Sequence, residues 1–371
     1  ARDVKHVFPV ESQLSMEHIR PGSVVAICGF GLTALDALLA LTEGRGGRFE
    51  ECEGKWKYHR SGREPWKVFF SSRSGRPMFA KPVVDQMRIP QAVEAIWEHH
   101  RKELGTLRRP DGGFDFAREL WPQITAAADE ALGVCGDASA EQWFESWVDY
   151  PCHGRKAVET MRRSYAVATG RATPHAAWAV GEAWRQLYGP LSAHVSYGGL
   201  SESSWLEFHN TAAEIERIAF GPPAENMGRL LALIDCGIAD LEFVNGGRAN
   251  LQARSLDSEA GRERVAVDHF VNAVLPKPHE WCPHGPLAAL IQSGILRRQP
   301  GSGAALINCE GRPLDAHGVS RQGLAVLGRA TEGCVLGNDT LSRTSHHQPE
   351  AWAKSVVGRL SELSTSGFKT L

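Results

Sequence analysis

Residues 24–42, Val-Val-Ala-Ile-Cys-Gly-Phe-Gly-Leu-Thr-Ala-Leu-Asp-Ala-Leu-Leu-Ala-Leu-Thr, decide the fold of this chain. Val24 to Cys28 are mostly apolar and predict a buried strand, and the leucines that follow at helical spacing predict a helix. Between them, Gly29 to Ala34 reads G-x-G-x-x-A. A strand, a glycine turn and a helix in this order are typical of the phosphate cradle of a dinucleotide-binding α/β fold. A tight turn in another kind of α/β protein is the alternative.

Each small residue of this turn has a physical role in such a fold. Gly29 permits a tight turn, Gly31 lets the backbone approach a diphosphate, and Ala34 lets the helix pack close to the strand. The helix N-terminus supplies free N–H groups and a partial positive charge. The candidate coenzyme-binding residues of the turn are therefore Gly29, Phe30, Gly31, Leu32 and Thr33.

Composition excludes several classes of protein. The chain has 371 residues with 42% hydrophobic and 23% charged residues, which is ordinary for a globular protein of two or three domains. A net charge of −2 gives no reason to expect a nucleic acid or a membrane surface as partner, and we expect no membrane span. Eight scattered cysteines without C-x-x-C predict a reduced, cytoplasmic protein and argue against a dithiol reductase.

A second strand, predicted from Trp66 to Ser72, ends in Ser72-Arg73-Ser74. At this place an acidic residue favours a free ribose 2′-hydroxyl, and an arginine favours a 2′-phosphate. We therefore expect Ser72, Arg73 and Ser74 to select NADP(H) over NAD(H), the alternative being a solvated surface arginine. The segment from Gly44 to Glu64, rich in glycine and charge, is predicted to be an exposed excursion, and it separates the two motifs by more than the usual ~20 residues.

The rest of the chain is predicted to be mainly helical in the middle and mixed at the end. Further short strands are expected at Leu241–Val244, Arg264–Leu275 and Leu324–Leu327. The candidate helices are Gln91–Glu103, Phe116–Leu132, Ala140–Val148, Arg155–Ala168, Pro174–Tyr188, Ser203–Ile218, Pro223–Cys236, Pro286–Gln292 and Pro349–Leu363.

Three segments together resemble a known family. Gly29 to Asp36 and Ser72 to Pro77 resemble the second nucleotide motif of the two-dinucleotide FAD/NAD(P)-binding oxidoreductases. Val267 to Ala273 resembles the strand that crosses back between the two nucleotide domains of that family. Leu324 to Gly333, with Gly337-Asn-Asp, resembles the late strand and loop that close on the flavin.

The resemblance implies a domain organisation. It makes residues 1–82 the first part of a Rossmann-like NAD(P)-binding domain, 83–236 a large helical insertion, 237–275 the return strands, and 276–371 the C-terminal segment of an FAD-binding-type domain. The N-terminal FAD half of the family has no counterpart in the sequence, so we expect another polypeptide to supply it in a heteromer, unless it was cleaved or lost. The alternative makes 276–371 a self-contained unit.

The resemblance also implies FAD and NADP(H) as cofactors. Gly328, Arg329 and Asp339 would then lie near the flavin, although Asp339 equally suits a helix cap. Asn272 would mark backbone close to a cofactor, but as part of a core strand it needs no special role. His279, Cys282 and His284 are too few for a structural zinc site, and we expect no metal.

The expected function is an NADPH-dependent flavoprotein oxidoreductase, in one form a monooxygenase, that acts on a small organic substrate. The sequence identifies no catalytic acid or base. Two alternatives remain open: a non-catalytic scaffold subunit of such an enzyme, and a flavin-free NADP-dependent dehydrogenase whose substrate domain is the helical segment.

Overall fold

The computed structural model describes residues 3–87, 89–135, 139–259, 261, 263–275, 284–338 and 347–366 of the chain. They form two compact units. The first draws on residues 1–96, 125–185 and 213–275, and the second on 97–124, 186–212 and 276–371. Helices and a parallel sheet both occur, which confirms the prediction of an α/β fold.

The strands agree with the sequence prediction best where they are most buried. β1 matches its prediction residue for residue, and β4 lies within the predicted segment from Trp66 to Ser72. The strands are β1 (Val24–Cys28), β2 (Arg48–Cys52), β3 (Lys55–His59), β4 (Lys67–Ser71), β5 (Ala239–Asp240), β6 (Arg248–Asn250), β7 (Ser255–Asp257), β8 (Arg264–Ala266) and β9 (His269–Asn272).

Each predicted helical segment contains a helix, although the one predicted to end at Tyr188 continues to Val195 and the short helix Val10–Gln13 was not predicted. Short turns of other helix types lie at Glu43–Arg45, Phe116–Leu120 and Gly328–Thr331. The α-helices are α1 (Val10–Gln13), α2 (Leu32–Leu41), α3 (Gln91–Thr106), α4 (Trp121–Cys135), α5 (Ala140–Asp149), α6 (Gly154–Ala168), α7 (Ala176–Val195), α8 (Ser204–Ala219), α9 (Ala224–Asp235), α10 (Pro286–Gln292) and α11 (Gln348–Ser366).

A four-stranded parallel sheet in the order β5-β4-β1-β9 forms the centre of the first unit. Numbered by their order along the chain, the four strands stand in the order 3-2-1-4 across the sheet. Val25 pairs with Val68 of β4 on one side and with His269 of β9 on the other. Strands that are buried on both faces are continuous apolar runs, which is why β1 and β4 were evident in the sequence.

Different structures cover the two faces of this sheet. On one face, Ile27 and Phe70 share a hydrophobic core with residues of α2, α6 and α9. On the other face, Ala26 and Phe69 pack with Leu256 of a three-stranded antiparallel sheet, ordered β6-β7-β8. This alternation follows from the two-residue period of strand side chains.

Most residues between Gly44 and Glu64 are exposed, as predicted, but the segment has regular structure that was not predicted. The segment contains the antiparallel hairpin β2–β3, which packs on α9. Tyr58 is buried, and its hydroxyl donates a hydrogen bond to Glu64 at 2.8 Å. Trp56 lies so close to Gly228 of α9 that a Cβ at that glycine would be 2.2 Å from the indole Cδ1. Aromatic residues on one face of the hairpin therefore anchor a segment that is otherwise charged and rich in glycine.

Three strand predictions also need correction. Leu241–Val244 forms a turn, and β5 lies just before it. Leu324–Leu327 has no regular secondary structure. Arg264–Leu275 contains two strands, β8 and β9, in different sheets. Asp268 separates these two, because its carboxylate accepts a hydrogen bond from the Val24 amide at 2.8 Å beside the start of β1.

The second unit has a small core of its own. Leu296, Ile307, Val326 and Val335 are buried together, and isolated antiparallel bridges such as Arg298 to Ala305 connect its loops. Among the described helices, none is both long enough and apolar enough to span a bilayer.

Candidate functional site

The turn after β1 requires glycine at its first position. Gly29 has a φ of +124°, which residues with a side chain rarely adopt. A Cβ there would also lie 3.2 Å from the carbonyl carbon and oxygen of Ala273. The Gly29 amide donates to the Ser71 carbonyl at 2.8 Å, and the Ala273 amide donates to Cys28 at 2.8 Å. The chain is thus closely packed where β4, β1 and β9 end.

Gly31 has a different role in the same turn. It is the N-cap residue of α2 with an ordinary φ of −116°, and a Cβ there would meet no atom within 4 Å. No side chain caps α2 and its first turn carries no acid, so within the described residues the first-turn amides of Leu32 and Thr33 have no hydrogen-bond partner. Open space before free amides at a helix N-terminus suits an anion.

The position of the turn in the sheet also favours a ligand site here. β1 lies between β4 and β9, and the strand order reverses between β1 and β9. In open parallel sheets, ligands bind beyond the carboxyl ends of the strands at such a reversal. The free amides of α2 directly follow the carboxyl end of β1.

An apolar recess of about 330 Å³ adjoins Gly31. Phe30 contributes a ring that is nearly buried and lies 5.5 Å from the ring of Phe70, so this side chain shapes the recess. Leu32, in contrast, is 44% exposed. The lining residues are Phe30, Gly31, Leu32, Leu35, Phe70, Met78, Met161, Pro222, Met227 and Leu230.

The loop after β4 is held in shape by its serines. The Ser72 hydroxyl donates to the Val244 carbonyl at 2.9 Å and accepts from the Gly75 amide at 3.0 Å. The Ser74 carbonyl accepts from the Cys152 amide at 2.7 Å. Arg73, between these serines, is exposed and makes no hydrogen bond or ion pair with any described residue. Its guanidinium is therefore available to an external anion.

Further arginines make this loop electropositive. Arg76 and Arg217 share one carboxylate, that of Glu214, at 2.8 and 3.5 Å. Burial lowers the pKa of the Arg217 guanidinium, and the charges of Arg76 and Arg73 lower it further. Three arginines and one glutamate leave an excess of positive charge where a 2′-phosphate is expected.

Of the remaining predicted residues, Asn272 lies beside the turn, where it pairs with Cys28 in the sheet. Asn272 ends β9, where its side chain donates to the Lys5 carbonyl at 3.3 Å and accepts from the Val274 amide at 3.1 Å. Gly328 and Arg329 belong to the second unit, in a short helix where Gly328 has a φ of +77° and Arg329 is exposed. Asp339, like His279 and Cys282, lies outside the described residues.

The sequence analysis missed a second recess in the first unit. It has a volume of about 610 Å³ and lies between α5 and α6. Trp143 and Trp147 stack at 5.7 Å between ring centroids, while Lys156 and Arg163 come from one face of α6. The i, i+3, i+4, i+7 spacing along each helix was the available signal, but the sequence did not indicate that the two faces meet.

His175 also lines this recess, and its pKa predicts that the stability of the protein depends on pH. Burial lowers the pKa of its imidazole from 6.5 to about 4, and the charge of Arg163 adds to this. Between these pH values the unfolded chain binds a proton that the folded chain does not. The free energy of unfolding should therefore decrease as the pH is lowered through this range, by up to about 1.4 kcal/mol per pH unit. Replacing His175 by Gln should remove this part of the dependence, as measured by urea unfolding from neutral pH to about pH 4.5.

His6→Gln is the control, because His6 is exposed. This variant should keep the wild-type slope. A His175→Gln protein that loses stability with acid as steeply as wild type would show that His175 is not the responsible group.

Comparison with known proteins points to one kind of chemistry. The chain is 25% identical over 334 residues to the nitrosuccinic acid synthase npaA of Aspergillus oryzae, an alignment that covers 74% of this chain and 50% of that protein. It is 26% identical to a nitrosuccinate-forming L-aspartate N-monooxygenase of Streptomyces cremeus, over 62% of this chain and 41% of that protein. A protein of the same description from Streptomyces davaonensis is 27% identical over 43% of this chain and 25% of that protein.

The chain thus spans half or less of the length of these relatives. No protein-family model matches its sequence. Two of these relatives are thus named as monooxygenases of an amino acid, L-aspartate.

Proposed function

We propose that this chain binds NADP(H) at the turn from Gly29 to Thr33 and belongs to an NADPH-dependent flavoprotein N-monooxygenase that acts on L-aspartate or a similar small amino acid. The observation that carries the coenzyme site is the open, uncapped N-terminus of α2 at the reversal of strand order. The substrate and the reaction are proposed from the names of the relatives.

Each residue of the site would bind a different part of the coenzyme or hold the turn in place. The amides of Leu32 and Thr33 would donate to the diphosphate, and Gly31 would let it approach the backbone. Arg73 would pair with the ribose 2′-phosphate through its planar guanidinium. Gly29 would hold the turn against Ala273 and so fix the position of α2.

NADPH supplies a hydride and a flavin supplies the oxygen chemistry when both are bound. Among the described residues, no second strand, glycine turn and helix occurs that would hold FAD. We propose that a complementary FAD-binding polypeptide completes the flavin site, with Gly328 and Arg329 as this chain's contribution. Native mass spectrometry of the purified material is the direct test of that partner.

Gly31→Ala should separate coenzyme binding from stability. Nothing lies within 4 Å of the added methyl group, so we expect the free energy of unfolding to stay within about 0.5 kcal/mol of wild type. The same methyl group would occupy the approach to the free amides, and we expect NADPH to bind about 10-fold more weakly. Fluorescence titration with NADPH and urea unfolding measure the two effects. Unchanged NADPH affinity would contradict the diphosphate role of this turn.

The activity itself is tested by substrate-dependent oxidation of NADPH. With the FAD-binding complement present, L-aspartate should stimulate NADPH oxidation and yield nitrosuccinate, while D-aspartate serves as the control. Flavin absorbance in the purified complex supports the proposal. A colourless complex that binds NADPH would favour the flavin-free dehydrogenase, and one that binds neither cofactor would favour the scaffold subunit.

A further inference from the structure

The recess between α5 and α6 combines an aromatic wall with two cations. Trp143 and Trp147 are nearly parallel, at 18°, and Phe79 packs edge-on against both at 6.2 and 5.3 Å. Lys156 and Arg163 follow one another along one face of α6. The lining residues are Phe79, Trp143, Ser146, Trp147, Tyr150, Cys152, Lys156, Thr160, Arg163 and His175.

The two cations have no partner among the described residues. In the part of the chain that the structure describes, neither the Lys156 ammonium nor the Arg163 guanidinium forms an ion pair or hydrogen bond. The lining includes no carboxylate. Glu159 lies outside it, although its charge acts on the same thiol, Cys152, as that of Lys156. The recess is therefore positively charged and attracts anions.

Two buried ring nitrogens of the lining also have no hydrogen-bond partner in the described part of the chain. They are Nε1 of Trp147 and Nε2 of His175. The His175 Nδ1 accepts from the Ala177 amide at 3.2 Å, so in the neutral ring Nε2 carries the proton. A buried donor without an acceptor destabilises the protein. Acceptor atoms of a ligand would satisfy both N–H groups.

The recess is joined to the loop that carries Arg73. The guanidinium of Arg76, in that loop, donates to the carbonyls of Val148 and Tyr150 at 3.0 and 3.3 Å, where α5 ends. The Cys152 amide, just before α6, donates to the Ser74 carbonyl of the same loop. Arg73 and the recess therefore lie on a continuous stretch of the first unit.

We propose that this recess binds an adenosine phosphate. The base would stack on the aromatic wall, and a phosphate would pair with Lys156 and Arg163, together with Arg73 if the ligand is the adenosine end of NADP(H). An amino acid of the size of aspartate has no planar ring to stack on the indoles. The adenosine phosphate has two possible sources: the adenosine end of NADP(H), which rests on the proposed function, or a separate adenine nucleotide.

The test is a titration of the 371-residue chain with adenosine 2′,5′-bisphosphate and with AMP, followed by tryptophan fluorescence. We expect saturable quenching by at least one of the two and none by adenosine alone. Lys156→Gln and Arg163→Gln should each weaken binding at least about 10-fold, because each removes a charge-assisted contact. Arg155→Gln is the matched control: this arginine is exposed on the same helix but does not line the recess.

Competition with NADPH distinguishes the two sources. If NADPH displaces the bound nucleotide, the recess holds the adenosine end of the coenzyme; if both bind together, it holds a separate nucleotide. Either result supports the site. Absence of saturable binding, or equal affinity in wild type, Lys156→Gln and Arg163→Gln, would overturn it.

The failure of this site and that of the proposed function are distinguishable. NADPH binding that depends on Gly31 and Arg73, with no effect of Lys156 or Arg163, would leave the coenzyme turn intact and remove the recess. Adenosine phosphate binding in the recess, without flavin and without NADPH oxidation, would support the recess and contradict the proposed function. Both substituted side chains are exposed, so the variants should fold, which circular dichroism checks.

Discussion

Gly29→Ala should destabilise the first unit by about 3 kcal/mol, because a methyl group is wrong at this position in two ways. The φ of +124° is strained for any residue with a side chain. The new Cβ would also lie 3.2 Å from the backbone of Ala273, which cannot move without disturbing the end of β9. Because this turn also positions α2, NADPH binding should fall together with stability. Urea unfolding followed by fluorescence measures the loss.

Gly22→Ala is the matched control for this result. Gly22 has a φ of +76°, but a Cβ there would meet nothing within 4 Å. It should cost only the conformational strain, about 1–2 kcal/mol, and leave NADPH binding unchanged. If Gly29→Ala were no more destabilising than Gly22→Ala, the close contact with Ala273 would have no energetic importance.

Arg73→Ala should weaken NADPH binding about 100-fold and leave NADH binding unchanged. The side chain is exposed and has no partner among the described residues, so its loss should not affect folding. NADH lacks the 2′-phosphate and has nothing to lose. Titration of wild type and variant with both coenzymes gives the two affinities.

Arg73→Lys tests the geometry of the same contact. It keeps the charge but not the planar fork, and we expect NADPH affinity between those of wild type and Arg73→Ala. Equal losses of NADPH and NADH affinity in Arg73→Ala would contradict 2′-phosphate recognition and make this arginine an ordinary surface residue.

The elements that could be predicted from the sequence are those whose signals lie in neighbouring residues. β1 was predicted residue for residue because a strand buried on both faces is a continuous apolar run. The last helix of the middle segment, α9, was predicted to within a residue because Pro222-Pro223 and Gly237 mark its ends. The hairpin β2–β3 was missed because its glycines and charges are typical of a loop. Only its packing on α9 reveals that Phe49 and Trp56 face inward.

The candidate site divides in the same way. The free amides after Gly31 and the exposed Arg73 were expected from motifs that occupy a few consecutive residues. The serines beside Arg73 were expected to contact coenzyme, but their hydrogen bonds to the backbone show that they also shape the loop. The recess between α5 and α6 was not expected, because Trp147 and Lys156 are brought together only by the folding of the chain.

By itself, the sequence determined the α/β class, the strand and helix around Gly29, and the position of Arg73 just after the second predicted strand. These depend on burial patterns and backbone conformations that neighbouring residues set among themselves. Only the tertiary structure decided the order of the strands, the contact of Gly29 with Ala273, and the recess that joins indoles to cations. Each of these joins residues that are far apart in the chain, and such contacts arise from packing that no local pattern encodes.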